Sequence, residues 1–257
     1  MTIRLKAIPS LSDNYIWLLI NDSEATAAII DPGSSAGCSD YLDHQNLRPA
    51  AILITHRHWD HVDGIEKLVQ RYKIPVYGPA TEYVPHLTTP LAGNDKFYLP
   101  ELKLNFEVMD IGGHTSGHIG YLTGNMLFCG DTLFSAGCGR LFDGTATQLH
   151  AALKKISQLP DSTIIYCTHE YTLENLRFAQ AVEPDNPAIQ TRIDEVKALR
   201  QKDQPSLPVT LEMEKSYNPF LRTDKENIMK TVAQHSGQKI NNSKDCFRYL
   251  RLWKDGF

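Results

Sequence analysis

Three imidazoles and a carboxylate fall within the six residues His56-Arg57-His58-Trp59-Asp60-His61. So many polar rings at the end of an apolar run, residues 50–55, cannot all be core residues. His56 and His58 are two apart, so on an extended backbone their rings point the same way, as a shared metal ion requires. Asp60 and His61 follow where the chain turns, and the backbone there can redirect them to a second ion. A pair of ions needs more donors than one loop supplies. Further candidates stand just beyond other strand-like runs: His114 in Gly112-Gly113-His114-Thr115, Asp131 in Gly130-Asp131-Thr132, and His169 in Thr168-His169-Glu170-Tyr171. Histidine and carboxylate donors suit zinc, iron or manganese. Such ions acidify bound water from a pKa of about 15.7 to about 7, which is the chemistry of hydrolysis at neutral pH.

The elements that must position these residues are legible as patterns. Residues 16–20, 27–31, 50–55, 106–109, 119–122, 126–129 and 164–167 are short apolar runs bounded by turn residues and predict strands. Functional groups in α/β sheets gather beyond strand ends, so the four ligand-bearing loops can converge on one sheet edge. After Asp60, the spacing of Val62, Ile65, Leu68 and Val69 predicts one helix over residues 61–72, and Leu149, Leu153 and Ile156 predict another over 148–157. From Thr172 onward nearly every pattern is helical, with Pro184 and Pro187 as punctuation, Asn186 placed to cap, and residues 204–208 as a loop. These changes predict a metal-binding α/β domain over residues 1–172 and a helical domain over 173–257.

Composition narrows the function classes. With 42% hydrophobic and 22% charged residues the chain reads as globular, and its formal net charge of −4 leaves no basic footprint for nucleic acid. No apolar segment follows the N-terminal charges, and no run approaches the roughly 18 apolar residues of a membrane span, so a cytoplasmic protein without a membrane partner is expected. The five cysteines lack Cys-x-x-Cys spacing and read as buried small residues rather than a disulfide framework or zinc ribbon. His44, His86, His150 and His235 lie outside any motif. His118, four residues past His114, reads as a support for a ligand rather than a ligand.

The run His56-x-His58-x-Asp60-His61, followed in order by His114, Asp131 and His169, resembles the signature of the metallo-β-lactamase superfamily. Within it, the chain is similar to glyoxalase II, the hydroxyacylglutathione hydrolases. The similarity is carried by Asp13-Asn14-Tyr15, Gly113-His114-Thr115-x-Gly117-His118, Gly130-Asp131-Thr132-Leu133-Phe134, Gly137-Cys138-Gly139-Arg140, His169-Glu170-Tyr171-Thr172, Asn218-Pro219-Phe220-Leu221-Arg222 and Arg251-x-x-Lys254-Asp255-x-Phe257. Asp63 departs from the family's Gly-Gly pair after the signature, and Gly112 stands where a Pro commonly precedes Gly-His-Thr.

The resemblance implies an αβ/βα sandwich with a helical C-terminal domain that binds substrate, and two divalent ions, zinc foremost. It implies one ion on His56, His58 and His114, the other on Asp60, His61 and His169, Asp131 between them, and a bridging hydroxide as nucleophile beside Asp60 and Asp131. It implies hydrolysis of S-(2-hydroxyacyl)glutathiones such as S-D-lactoylglutathione in methylglyoxal detoxification. Arg140, Tyr171, Arg251 and Lys254 would bind the glutathione moiety, and Phe142 occupies a position where some members carry Tyr. A thioester suits such a site, since a thiol of pKa about 8.5 leaves without a strong general acid. The expected assembly is a monomer acting on a small molecule. Rival readings on the same fold are a one-iron sulfur dioxygenase, a lactamase and a nucleic-acid phosphodiesterase. The complete second ligand set, the helical C-terminus and the absence of basic excess weigh against them, and no lost ligand favours a mere binding module.

Overall fold

A computed structural model describes residues 2–257. They form two compact units: one runs to Asp110 and adds Gly117–Gly130, and the other takes Ile111–Ser116 and Asp131–Phe257.

The first unit is built on a six-stranded sheet whose spatial order follows the sequence: β1 (Ile3–Ser10), β2 (Asn14–Asn21), β3 (Thr26–Ile30), β4 (Arg48–Leu53), β5 (Val76–Pro79) and β6 (Thr89–Leu91). The pairs β1–β2 and β2–β3 are antiparallel, and β3 to β6 run parallel. Parallel neighbours need crossovers, here α1 (Ala36–His44) and then α2 (Trp59–Val62) with α3 (Ile65–Tyr72). Because side chains alternate across a strand, Leu18, Ile20, Ala27, Ile29 and Ile52 share one face. There they form a core with Cys38, Leu42, Ile65 and Leu68 of the crossover helices. Each such aliphatic side chain contributes about 1.5 to 3 kcal/mol by leaving water. Trp17, Leu19, Ala28, Ile30 and Leu53 on the other face are buried too. That face therefore needs its own cover.

An antiparallel meander in the same unit, β7 (Lys96–Leu99), β8 (Leu104–Asp110), β9 (Ile119–Thr123) and β10 (Met126–Gly130), is tied to this sheet by hydrogen bonds. Tyr121 Oη donates to Ile54 O at 2.7 Å, Thr26 Oγ1 to Glu101 O at 2.7 Å, and Ile119 N to Thr55 O at 3.0 Å.

The single helix expected over residues 61–72 is two helices, with a break at Asp63-Gly64. The cause lies in the Asp31-Pro32-Gly33-Ser34 turn. Gly64 N donates to Pro32 O at 2.8 Å, and a Cβ at position 64 would stand 2.6 Å from that oxygen. Backbone packed so closely cannot continue the helix unbroken. Asp63 itself is exposed with a right-handed φ of −63°, so the position makes no demand for glycine.

The second unit holds the hairpin β11 (Leu133–Phe134) and β12 (Gly137–Cys138), and the antiparallel pair β13 (Ile164–Cys167) and β14 (Val209–Thr210). Its helices are α4 (Ala146–Ser157), α5 (Thr172–Val182), α6 (Pro187–Arg200), α7 (Leu211–Tyr217), α8 (Glu226–Ser236) and α9 (Ser243–Asp255). Asn186 caps α6 as expected, its side chain accepting from Ala188 N at 3.0 Å with Pro187 at the first turn. Leu176, Ala179, Ile189, Ile193, Val196 and Tyr217 pack together as a helical core. Residues 204–208 form no regular element and are anchored by Ser206, whose N and Oγ both donate to the Glu170 carboxylate. All five cysteines are free and buried. Among the described residues no helix is long and apolar enough to cross a membrane.

Candidate metal centre

In the first unit, β4 delivers the histidine loop. His56 and His61 are fully buried, His58 and Asp60 partly so. The rings of His56 and His58 lie 4.6 Å apart at 76°, and those of His56 and His61 4.1 Å apart, so the rings gather as their spacing predicts. His56 with His58, His56 with His61, and Asp60 with His61 each bring ligand atoms within 4.8 Å.

A carboxylate at the end of the strand-like run 27–31 packs against these rings. Asp31, at φ +50°, accepts from Thr55 N at 2.8 Å and from Thr55 Oγ1 at 2.7 Å. Thr55 Oγ1 thereby commits its proton, and its lone pair faces His56 Nδ1 at 3.1 Å. The network assigns the His56 proton to Nδ1 and leaves Nε2 as the donor atom for a metal. Asp31 Oδ2 also lies 3.2 Å from His61 Nδ1, an ion-pair separation that sets the carboxylate against that ring. Asn14 holds Asp60, donating from Nδ2 to Oδ2 at 3.0 Å. His118 stacks on His56 at 4.6 Å and 20°.

In the second unit, His114 Nδ1 donates to Arg140 O at 2.7 Å, which leaves Nε2 as its lone-pair atom. That atom lies 3.5 Å from Asp131 Oδ2, and His169 Nε2 lies 3.4 Å from the same oxygen. The other carboxylate oxygen, Oδ1, accepts from Thr168 Oγ1 at 2.6 Å. Asp131 thus turns one oxygen to a threonine and one to two imidazoles.

These separations test whether the donors fit a metal. His61 Nε2 to Asp60 Oδ2 is 3.6 Å, close to the two distances at Asp131. All three are too long for good hydrogen bonds, and at His114, whose Nδ1 proton goes to the Arg140 carbonyl, lone pair faces lone pair. Two donors about 2.0 to 2.2 Å from a tetrahedral cation lie about 3.4 Å from each other. The residues fit divalent metal.

The residues expected to bind substrate sit apart in character. Arg140 is exposed, with Nε 3.6 Å from Asp255 Oδ1. Phe142 is 62% exposed and sets its ring edge-on to His114 at 5.1 Å. Tyr171 stacks on His169 at 4.7 Å and 9°. Arg251, by contrast, is buried: its Nη1 donates to Cys138 O at 2.9 Å and its Nη2 pairs with Asp255 at 3.0 Å. Lys254 is half-buried, its ammonium over the rings of Phe178 at 5.4 Å and Phe257 at 5.7 Å. Burial first, and Arg251 after it, lower its pKa.

Fold and donor set together define a metal-binding protein of the metallo-β-lactamase superfamily, whose family model matches residues 12–169. Solved structures share the fold. ETHE1 from Myxococcus xanthus superposes with a TM-score of 0.67 at 22% identity, covering 100% of both chains. BLEG-1 B3 metallo-beta-lactamase gives 0.64 at 24% identity over 85% of this chain and 99% of its own. The α/β fold expected from the sequence, with its helical C-terminus, is the observed one. A second family model, the hydroxyacylglutathione hydrolase C-terminus, matches residues 170–257. A hydroxyacylglutathione hydrolase of Nitrosomonas eutropha is 48% identical over 97% of this chain and 97% of its own length, and one of Vibrio parahaemolyticus is 46% identical over 99% and 100%. The chain belongs to the hydroxyacylglutathione hydrolase family.

Proposed function

We infer that the protein hydrolyses S-(2-hydroxyacyl)glutathione thioesters, S-D-lactoylglutathione among them, to glutathione and a 2-hydroxy acid. The observation that carries this reading is that each unit sets donors at metal-compatible separations, Asp60 with His61 in the first and His114 and His169 with Asp131 in the second, in a chain that belongs to this family. In the arrangement proposed, His56, His58 and His114 hold one divalent ion, Asp60, His61 and His169 hold the other, and Asp131 lies between them. Such ions supply hydroxide at neutral pH and polarise a carbonyl, with zinc, iron and manganese all suited to the donors.

The remaining work falls to the chain's own side chains. Asp31, Asn14, Thr168 and the Arg140 carbonyl fix tautomers and carboxylate rotamers before substrate arrives. Arg140, Phe142, Tyr171, Arg251 and Lys254 are proposed to hold the glutathione moiety, which carries carboxylates far from the reacting bond and so offers a handle for orientation. Arg251 also donates to the Cys138 carbonyl, two residues before Arg140. The departing thiolate needs no general acid.

The domain division proposed, residues 1–172 for metal and 173–257 for substrate, follows the change to helical pattern, and the two family models meet at residues 169 and 170. A monomer in the cytoplasm, without nucleic-acid or membrane partners, accords with five free buried cysteines and a net charge of −4. The test is metal analysis followed by an assay with S-D-lactoylglutathione. About two ions per chain and turnover that a chelator abolishes are expected. A protein loaded with two ions that leaves the thioester intact overturns the reading.

A further inference from the structure

Residues 54–58 belong to no helix or strand, yet they carry two candidate ligands, so something other than a ladder must hold their backbone. Glu82 reaches them from beyond β5. Its side chain is 1% exposed, Oε2 accepts from Arg57 N at 2.7 Å, and Oε1 accepts from Gly117 N at 3.1 Å. The first amide is that of the residue between His56 and His58. The second belongs to the residue before His118, whose ring stacks on His56. Position 117 is glycine for a steric reason: a Cβ there would stand 2.3 Å from Thr81 Oγ1 and 2.8 Å from Glu82 Cγ. The Arg57 guanidinium adds a long ion pair, Nη1 to Oε1 at 3.8 Å.

We propose that Glu82 is a positioning residue for the metal-binding loop, a buried carboxylate that clamps the peptide joining His56 to His58 and the strap carrying His118. Charge-assisted bonds to two main-chain amides fix the loop more firmly than neutral acceptors do. The splay of the two imidazoles is then set before metal arrives. Glutamate suits the task because its two oxygens serve two segments at once. A glutamine offers one acceptor and turns an NH2 toward the other amide. An aspartate is one methylene too short to reach both. The inference rests on the reading of His56 and His58 as ligands.

The experiment compares wild type, Glu82→Gln and Glu82→Asp. Zinc affinity is measured by chelator competition on metal-free protein, together with thermal unfolding of the metal-free forms and kcat and KM for S-D-lactoylglutathione. Wild type that binds no zinc defeats the ligand reading itself and is seen before any variant is compared. With wild type loaded, both variants are expected to stay folded and to lose zinc affinity by about 10- to 100-fold, with kcat falling and KM within about twofold. Folded variants with wild-type zinc affinity overturn the proposal. So does a lowered metal-free melting temperature with wild-type kcat restored at saturating zinc, since that marks a residue that only stabilises the fold. If Glu82→Gln does not fold, Glu82→Asp carries the same comparison.

Discussion

The carboxylate of Asp31 faces the ring of His61 across 3.2 Å, Oδ2 to Nδ1, while the same carboxylate takes both the amide and the hydroxyl of Thr55. One side chain therefore lies against His61 and reaches His56 through Thr55. Asp31→Asn is the clean probe, because asparagine tolerates the left-handed backbone and nearly matches the shape. It keeps an acceptor but lacks the charge that makes the imidazole a better ligand. Metal affinity is expected to fall by about 10- to 100-fold with little change in the metal-free melting temperature, read by chelator competition. Unchanged affinity would show that the contact orients nothing.

Asp131 divides its oxygens between Thr168 and two imidazoles. Asp131→Ala is expected to lose stoichiometric metal and hydrolysis together, because two cations then face each other with less charge between them. Thr168→Val removes only the bond that fixes the carboxylate, so it should keep the stoichiometry and weaken retention by roughly tenfold, about 1.4 kcal/mol and just below the usual range for a bond to a charged group. Metal analysis after dialysis checks both. Two ions and near-normal turnover in Asp131→Ala would remove the bridging assignment.

Arg251 and Lys254 share a helix and part company in their surroundings. Arg251 is buried on the Cys138 carbonyl and Asp255, so Arg251→Met should destabilise the fold by about 1.5 to 3 kcal/mol, visible in thermal melts. Lys254→Met should leave the melt near wild type and raise KM for the glutathione thioester, while a small thioester without glutathione's carboxylates is cleaved as before. Equal loss on both substrates would make Lys254 structural.

Burial lowers the Lys254 pKa from the ordinary lysine value of 10.5. The fold thus favours the neutral amine, and the positive charge is lost at a lower pH than in an exposed lysine. If the ammonium holds a substrate carboxylate, KM rises as pH climbs toward 10.5, whereas Lys254→Met lacks that limb. Coincident alkaline profiles for the two proteins would remove Lys254 from binding.

The sequence by itself determined the candidate ligands and the central elements, because both rest on local signals. Apolar runs bounded by turns mark β2, β3 and β4, helical spacing marks α4 and the helices after Thr172, and donor types at fixed spacing mark the histidine loop. The less apolar strands left no such trace. In β1, Arg4 and Lys6 interrupt the apolar residues and most positions are partly exposed, while β5, β6, β11, β12 and β14 have at most four residues. The break between α2 and α3 was hidden because the periodicity of Val62, Ile65 and Leu68 survives it.

Tertiary structure alone decided what orients the ligands. Asp31 is 30 residues before His61, Glu82 is 25 after Arg57, and Arg140 offers His114 its backbone rather than its charge. No residue-type pattern announces a main-chain carbonyl or a lone buried carboxylate as a partner. Their roles come from chain crossings that bring distant segments within 3 Å or so, and hydrogen-bond energy falls too steeply with distance and angle for spacing along the chain to foretell it. The same holds for Arg251: by type it reads as solvated surface, and packing against the Cys138 carbonyl buries it.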